Sequence, residues 1–198
     1  MLPLLESIEN SGYAIWVRES SSVFAYPTIL ALHTLGLGLV VGISTAIALR
    51  LLGVAPALPL APLKRFFPVV WIGLAINALS GLALIPTAAI NFFSNPVFYV
   101  KLLGIAAALS SFRLLQRSVF ADPAALATGA VSARARGLAA SMLAFWGVAI
   151  VAGRLTAYSG FVVVATVIAV LIVALISTAA AVAVHLFVPS RVVRPTRA

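Results

Sequence analysis

The chain has 198 residues, of which 63% are hydrophobic and 9% are charged, and its formal net charge is +9. Several apolar runs are long enough to cross a bilayer as a helix, so the composition predicts an integral membrane protein with no separate soluble domain. The absence of cysteine excludes disulfides, thiolate metal sites and iron–sulfur clusters held by this chain alone. The basic residues are spread among the loops between apolar runs, which predicts lipid and not nucleic acid as the partner.

The N-terminal 1–22 segment mixes apolar and charged side chains, unlike the runs that follow. Leu5 and Ile8 stand among Glu6, Glu9 and further charged residues. This pattern predicts a short amphipathic helix that lies at the membrane surface. The segment has no basic start and no small-residue cleavage site, so we do not expect a signal peptide.

Five membrane-spanning helices are predicted after this segment, separated by proline, glycine and Asn-Pro punctuation. Their predicted ranges are 24–49, 66–90, 97–115, 138–158 and 161–188. The fold class is therefore an all-α polytopic transmembrane bundle over 23–189, with a basic tail over 190–198. Its length also allows a bundle of four spans, but the apolar character of the fifth run argues against that count.

The distribution of basic residues at the helix ends predicts the orientation. One side collects Arg50, Lys64, Arg65, Arg113, Arg117, Arg134, Arg136, Arg191, Arg194 and Arg197. The other side has only Arg18, Lys101 and Arg154. The positive-inside rule makes the first side cytoplasmic. In a bacterial inner membrane the N-terminus is then periplasmic and the C-terminus cytoplasmic.

His33 is the principal candidate for a functional residue, because it lies deep within a membrane-length apolar run. By the helical rise it lies about 14 Å below the outer boundary, and Lys101 and Arg154 lie about 6 to 8 Å below it. Imidazole is a common haem ligand, and a haem needs cations near its propionates. We therefore predict a haem b site with His33 as metal ligand and Lys101 and Arg154 as further cofactor-binding residues.

The same residues also allow simpler interpretations. His33 could hydrogen-bond a neighbouring helix, and Lys101 and Arg154 could extend towards the outer headgroups. Among other interior polar or sulfur side chains, Asn77 could line a site and Met142 could be a second axial ligand. His185 lies roughly 20 Å or more from His33 along the membrane normal, so it is expected to be an interfacial residue near the cytoplasm.

Glycines of the first span predict a close helix contact. Gly38 and Gly42 have the spacing of the small-xxx-small pattern, in which two helix backbones approach each other. Packing is the simplest interpretation of this pattern, although a planar macrocycle requires similarly small neighbours.

Four segments carry a resemblance to a known group of proteins. The segments are ALHTLGL at 31–37, LRLLG at 49–53, NPVFYVKLL at 95–103 and GRLTAY at 153–158. They resemble an uncharacterised family of bacterial inner-membrane proteins, and the chain is more distantly similar to HemJ-type protoporphyrinogen oxidases and CopD-like copper-resistance membrane proteins. The HemJ resemblance implies haem b at His33 and a functional role for Lys101.

The chain also departs from the HemJ pattern. Phe112 and Arg113 stand where HemJ-type chains have a further histidine, and those chains lack the fifth helix. The resemblance therefore implies a haem-binding bundle more than porphyrinogen oxidation.

The resulting functional hypothesis is a membrane subunit that binds haem b, or faces a quinone, in the outer half of the bilayer for electron transfer. The alternative is a cofactor-free accessory subunit of a larger membrane complex. Nucleotide-binding and zinc-peptidase motifs are absent from the sequence. No carboxylate falls within a predicted span, which argues against a proton-coupled transporter.

Overall fold

The computed structural model describes residues 2–156 and Ile168, and this part of the chain is helical, without β-strands. The helices are α1 (Leu2–Glu9), α2 (Gly12–Glu19), α3 (Tyr26–Leu52), α4 (Phe67–Leu84), α5 (Ala89–Ser94), α6 (Pro96–Ser118), α7 (Pro123–Thr128) and α8 (Ala133–Leu155). Short 3₁₀ segments, Ala61–Phe66 and Ile85–Ala88, precede and follow α4.

Four helical stretches are long and apolar enough to cross a membrane: Tyr26–Leu52, Ala61–Ser94, Pro96–Ser118 and Ala133–Leu155. They indicate a membrane protein and correspond to the first four predicted spans. The largest differences are at the starts of the second and fourth spans, where the helical stretches begin at Ala61 and Ala133, each five residues before the predicted start. The predicted fifth span over 161–188, the tail over 190–198 and His185 lie outside the described residues.

The ends of the spanning helices follow from local capping. The Asn95 side chain accepts a hydrogen bond from the Val97 N–H at 3.0 Å, and Pro96 occupies the first position of α6. Ser132 caps α8 by accepting from the Ala135 N–H at 3.2 Å. Gly53 ends α3 in the left-handed conformation with φ 95°.

Glycines bring the spanning helices together in two tight pairs. A Cβ atom on Gly36 would lie 2.6 Å from the backbone nitrogen of Asn77 and 2.7 Å from the backbone oxygen of Gly73, so α3 and α4 are in backbone contact. A Cβ atom on Gly104 would lie 3.2 Å from the Phe145 oxygen, which brings α6 against α8. Helix α3 also packs against α8, and this contact joins the two pairs.

The predicted close contact at Gly38 and Gly42 is not found in the described part of the chain. No described atom lies within 4 Å of a Cβ built on either residue. Gly38 is two residues after Gly36 and therefore lies about 200° further around the helix, on the opposite face from the α4 contact. Gly36 makes the close approach instead.

The packed core lies towards one end of the bundle, which we call the basic end because Arg50, Lys64 and Arg113 lie there. Aromatic rings fill the space between α4 and α6 at this end. The centroid of Phe67 is 5.5 Å from that of Phe112 and 4.9 Å from that of Phe120, both in edge-to-face geometry. Met142 is fully buried in the same core.

The opposite end, which we call the cap end, carries α1 and α2 and the connection from α4 to α6. The Ile90 N–H donates a hydrogen bond to Glu9 Oε1 at 2.7 Å, and the Tyr13 hydroxyl donates to the Ala83 oxygen at 3.0 Å. The 1–22 segment contains two helices where one was predicted, because the chain turns at Asn10 and Ser11 caps α2. Both helices are thereby tied to the connection from α4 to α6.

Candidate ligand site beside His33

A cavity of about 530 Å³ lies between α3, α4 and α6 in the half of the bundle nearest the cap end. This volume falls within the range of roughly 300–1,000 Å³ that is typical of small-molecule sites. Most of its lining is apolar, and the polar exceptions are Tyr26, His33, Asn77, Thr87, Lys101 and Thr156. The arrangement is that of a ligand pocket with a few polar groups on apolar walls.

A smaller cavity of about 260 Å³ lies towards α8, where Leu37, Ile150 and Arg154 contribute to its lining. The residues shared by both cavities are His33, Asn77, Lys101, Ile105 and Gly153. His33 and Lys101 therefore lie between the two cavities. His33 belongs to the α3–α4 pair, and Lys101 belongs to the α6–α8 pair.

The His33 ring is fixed by α4. Its Nδ1 lies 2.9 Å from the backbone oxygen of Asn77 and 3.2 Å from the Ser80 hydroxyl. Because a carbonyl oxygen can only accept, the hydrogen of the neutral ring is on Nδ1. Nε2 then carries a free lone pair, and no described residue donates a hydrogen bond to it. This is the nitrogen that a metal or another electrophilic ligand can use.

Asn77 returns a hydrogen bond to α3, since its Nδ2 donates to the His33 oxygen at 2.8 Å. The Ser80 hydroxyl donates to the Ile76 oxygen at 2.6 Å, which leaves its lone pairs facing the imidazole. The simple interpretation of His33, a ring hydrogen-bonded to a neighbouring helix, is thus correct for Nδ1. The open space beside the ring is an additional feature that this interpretation does not require.

Gly81 allows the ring to occupy this position. A Cβ atom there would lie 3.0 Å from His33 Cε1 and 3.4 Å from Nδ1. A methyl group at this position would therefore press on the imidazole at Cε1 and Nδ1. Neither Gly81 nor Ser80 was predicted from the sequence. The only available signal was their spacing from Asn77, since residues three and four apart share a helix face.

Lys101 is half-buried, and its ammonium group has no partner in residues 2–156. The alkyl stem packs along Gly153, where a Cβ atom would lie 3.6 Å from Lys101 Cδ and 3.7 Å from Cε. No described hydrogen bond or ion pair involves the ammonium, and no acidic residue lies in the described parts of the spanning helices. The group is available to an anionic or hydrogen-bond-accepting ligand.

Two of the three predicted site residues, His33 and Lys101, line both cavities, and the third, Arg154, lies at the edge of the site. Arg154 has an exposed side chain and lines only the smaller cavity. Asn77, proposed as a lining residue, contacts both cavities and the His33 ring. Met142 lines neither cavity, because it is packed in the core at the other end, so the structure gives no support to it as a second axial ligand.

The described residues contain no cluster of three or more His, Asp, Glu or Cys side chains that could hold a metal ion. Any metal at this site would depend on a single imidazole from this part of the chain, as in a haem. Comparisons of the chain with protein-family models, with curated proteins and with solved structures gave no match. The assignment of function therefore depends on the chemistry of the site.

Proposed function

We propose that the chain is a subunit of a bacterial inner membrane that binds haem b through His33 and takes part in electron transfer. The observation that carries this proposal is the hydrogen bond from His33 Nδ1 to the Asn77 oxygen at 2.9 Å. Metal-ligating histidines usually donate their second ring N–H to a carbonyl or carboxylate, which fixes the tautomer and orients the lone pair. His33 has this arrangement beside a cavity.

The surrounding residues fit such a group. The larger cavity offers about 530 Å³ of mainly apolar space, and Lys101 supplies a cation without a partner in residues 2–156. His33 would hold the iron, Lys101 would pair with a carboxylate of the macrocycle, and Arg154 would act from the rim of the smaller cavity. When bound, haem b supplies one-electron transfer, while the apolar walls exclude water.

The charge distribution supports an orientation in which the cap end faces the periplasm. The basic end carries Arg50, Lys64 and Arg113 among other cations, whereas the cap end has few. With the predicted fifth span, the C-terminus would be cytoplasmic. A reporter enzyme fused after Ala198 should be active in the cytoplasm, and periplasmic activity would contradict the five-span topology.

The absorption spectrum of the purified protein tests the haem proposal directly. We expect a Soret band and a reducible pyridine haemochrome spectrum, with loss of both in His33→Ala. Thr34→Ala is a matched control, because Thr34 is exposed on the same helix and its hydroxyl bonds only the Leu30 oxygen. A colourless native protein, or a His33→Ala variant with an unchanged spectrum, would remove the ligand assignment.

Imidazole rescue separates ligation from folding. His33→Gly also loses the hydrogen bonds to α4, so a lower yield alone would be ambiguous. Added imidazole can occupy the vacated space and ligate the iron, so it should restore the Soret band if His33 is the ligand. Recovery of folded protein without recovery of the spectrum would contradict ligation.

A quinone is a second ligand that the same groups could bind. The Lys101 ammonium can donate to a quinone carbonyl, and the neutral His33 Nε2 can accept from a quinol hydroxyl. This alternative predicts a colourless protein that retains quinone through purification, with less quinone in His33→Ala. Extraction and chromatography of the bound quinone distinguish it from haem.

A cofactor-free accessory subunit is the second candidate function. Two observations favour it: His33 Nδ1 has partners within the α3–α4 pair, and the faces of Gly38 and Gly42 meet no described atom within 4 Å. A partner helix could approach closely there. Purification in mild detergent followed by mass spectrometry should then show other subunits in fixed stoichiometry, and a protein without bound cofactor.

A further inference from the structure

The route into the larger cavity can be traced from the packing around it. At the basic end, access is closed by aromatic side chains. Phe67 packs against Phe112 and Phe120, and the Trp71 ring centroid lies 6.1 Å from that of Phe112. A ligand of substantial size has no path through this side chain cluster.

At the cap end, the cavity has a ceiling formed by the connection from α4 to α6, which includes Thr87 and Phe92. The N-terminal helices tie this ceiling down. Glu9 Oε1 accepts from the Ile90 N–H at 2.7 Å, and Arg18 Nη1 donates to the backbone oxygen of Glu9 at 3.1 Å. This part of the cap end is thus covered by a hydrogen-bonded layer.

The lateral faces differ from one another. Gly36 and Gly73 close α3 against α4, and Gly104 closes α6 against α8. Between α4 and α6 the aromatic contacts occur only towards the basic end. Nearer the cap end, Leu82 of α4 and Leu102 of α6 line the cavity while 63% and 46% exposed. Tyr26 and Leu30 of α3 also line the cavity while 45% and 39% exposed, but Leu82 is the most exposed of its large apolar residues, which favours the side between the two leucines as the main opening.

The position of this opening along the membrane normal determines whether it faces lipid or water. Leu102 is six residues after Pro96 and lies about 9 Å from the start of α6 along the helix axis. The hydrocarbon layer is roughly 30 Å thick, so the opening faces acyl chains and not water. The smaller cavity reaches the surface elsewhere, at Ile150, beside the charged Arg154.

We propose that the ligand of the larger cavity enters sideways from the lipid, between Leu82 and Leu102, and is a membrane-dissolved amphipath with an apolar body and an anionic or carbonyl head. The inference rests on the proposed function only in requiring that the cavity bind a ligand. The head would meet Lys101, the His33 ring would lie beside the same space, and the apolar body would follow through the gap between α4 and α6. The ligand would remain within the bilayer throughout.

Thiol labelling in lipid nanodiscs tests this route without depending on haem. The chain has no cysteine, so Lys101→Cys provides a single reporter inside the cavity. We expect a lipid-soluble pyrene maleimide to modify it about tenfold faster than a charged maleimide of similar intrinsic reactivity. Equal rates for the two reagents, or faster labelling by the charged one, would overturn the proposal.

Bulky substitutions then identify the opening. In the Lys101→Cys background, Leu82→Trp combined with Leu102→Trp should slow labelling by the lipid-soluble reagent about tenfold, while Ile150→Trp should leave it nearly unchanged. A slower reaction with Ile150→Trp alone would assign the route to the α3–α8 side and contradict the proposal. Leu102→Phe is a milder variant if the double substitution reduces folding, and it should slow labelling in the same direction.

Two controls keep the outcomes separate. Leu103→Cys is 70% exposed on α6 and does not line either cavity, so its labelling should not change with the tryptophan substitutions. A protein that never binds haem but shows this labelling pattern would refute the haem proposal and retain the lateral route. A protein that binds haem but is labelled faster by the charged reagent would retain the haem proposal and refute the lateral route.

Discussion

His33 and Asn77 join α3 to α4 through two hydrogen bonds that run in opposite directions. The His33 ring donates to the Asn77 backbone oxygen at 2.9 Å, and the Asn77 side chain donates to the His33 backbone oxygen at 2.8 Å. Each residue thus uses one side-chain and one backbone group. The pair fixes the imidazole before any ligand binds, which reduces the ordering that binding would otherwise require.

The two cations near the cavities should contribute unequally to haem binding. Lys101→Gln should weaken haem affinity about tenfold, or about 1.4 kcal/mol, because it removes a half-buried charge from both cavities. Arg154→Gln should have a smaller effect, since exposed ion pairs contribute roughly 0–1 kcal/mol. Spectrophotometric titration of the apoprotein with haemin measures both. A larger loss in Arg154→Gln would show that the anionic groups bind on the α8 side.

Gly81 should control the spectrum through the position of the His33 ring. Gly81→Ala would place a methyl group about 3.0 Å from His33 Cε1, so the ring must shift away from the Asn77 oxygen. We expect a changed Soret maximum and a changed midpoint potential. Gly153→Ala is the matched control, because its methyl group would meet the Lys101 stem at ordinary contact distance. Identical spectra in both variants would show that Gly81 does not control the ligand through the His33 ring.

The two glycines of α3 should respond oppositely to alanine. Gly36→Ala inserts a methyl group about 2.6 Å from the Asn77 nitrogen, and overpacking of this kind costs about 1–3 kcal/mol. Gly38→Ala meets no described atom and should be neutral or stabilising by up to roughly 1 kcal/mol, because alanine favours the helix. Thermal unfolding in a fixed detergent gives the comparison. Strong destabilisation by Gly38→Ala would instead reveal a helix packed on that face.

Glu9 should hold the ceiling of the cavity in place. Glu9→Ala removes the acceptor for the Ile90 N–H, and the loss of a hydrogen bond to a charged group costs about 1.5–3 kcal/mol. Hydrogen exchange at the Ile90 amide should therefore accelerate by about tenfold or more. Glu6→Ala is the control, because Glu6 is exposed on the same helix. Unchanged exchange in Glu9→Ala would mean that the ceiling is held by other contacts.

The sequence by itself determined the class of the protein and the approximate limits of its first four spans. Apolar runs of membrane length have few alternatives to a helix, because each backbone polar group must be satisfied within its own segment. Local signals such as Asn95-Pro96 and Gly53 then set the helix ends. Depth along the helix also follows from residue count, so the location of His33 and Lys101 in the same half of the bundle was predictable.

Only the tertiary structure decided which faces of the helices meet. Gly38 and Gly42 have the familiar spacing, yet Gly36 makes the close contact with α4, because rotation about the helix axis is fixed by packing on several neighbours at once. For the same reason Lys101 lines both cavities, whereas Arg154, at a similar depth, remains exposed. The cavity itself is left open because aromatic rings join α4 to α6 at one end only. These contacts are between residues far apart in the chain, so the hydrophobic pattern of a single helix could not predict them.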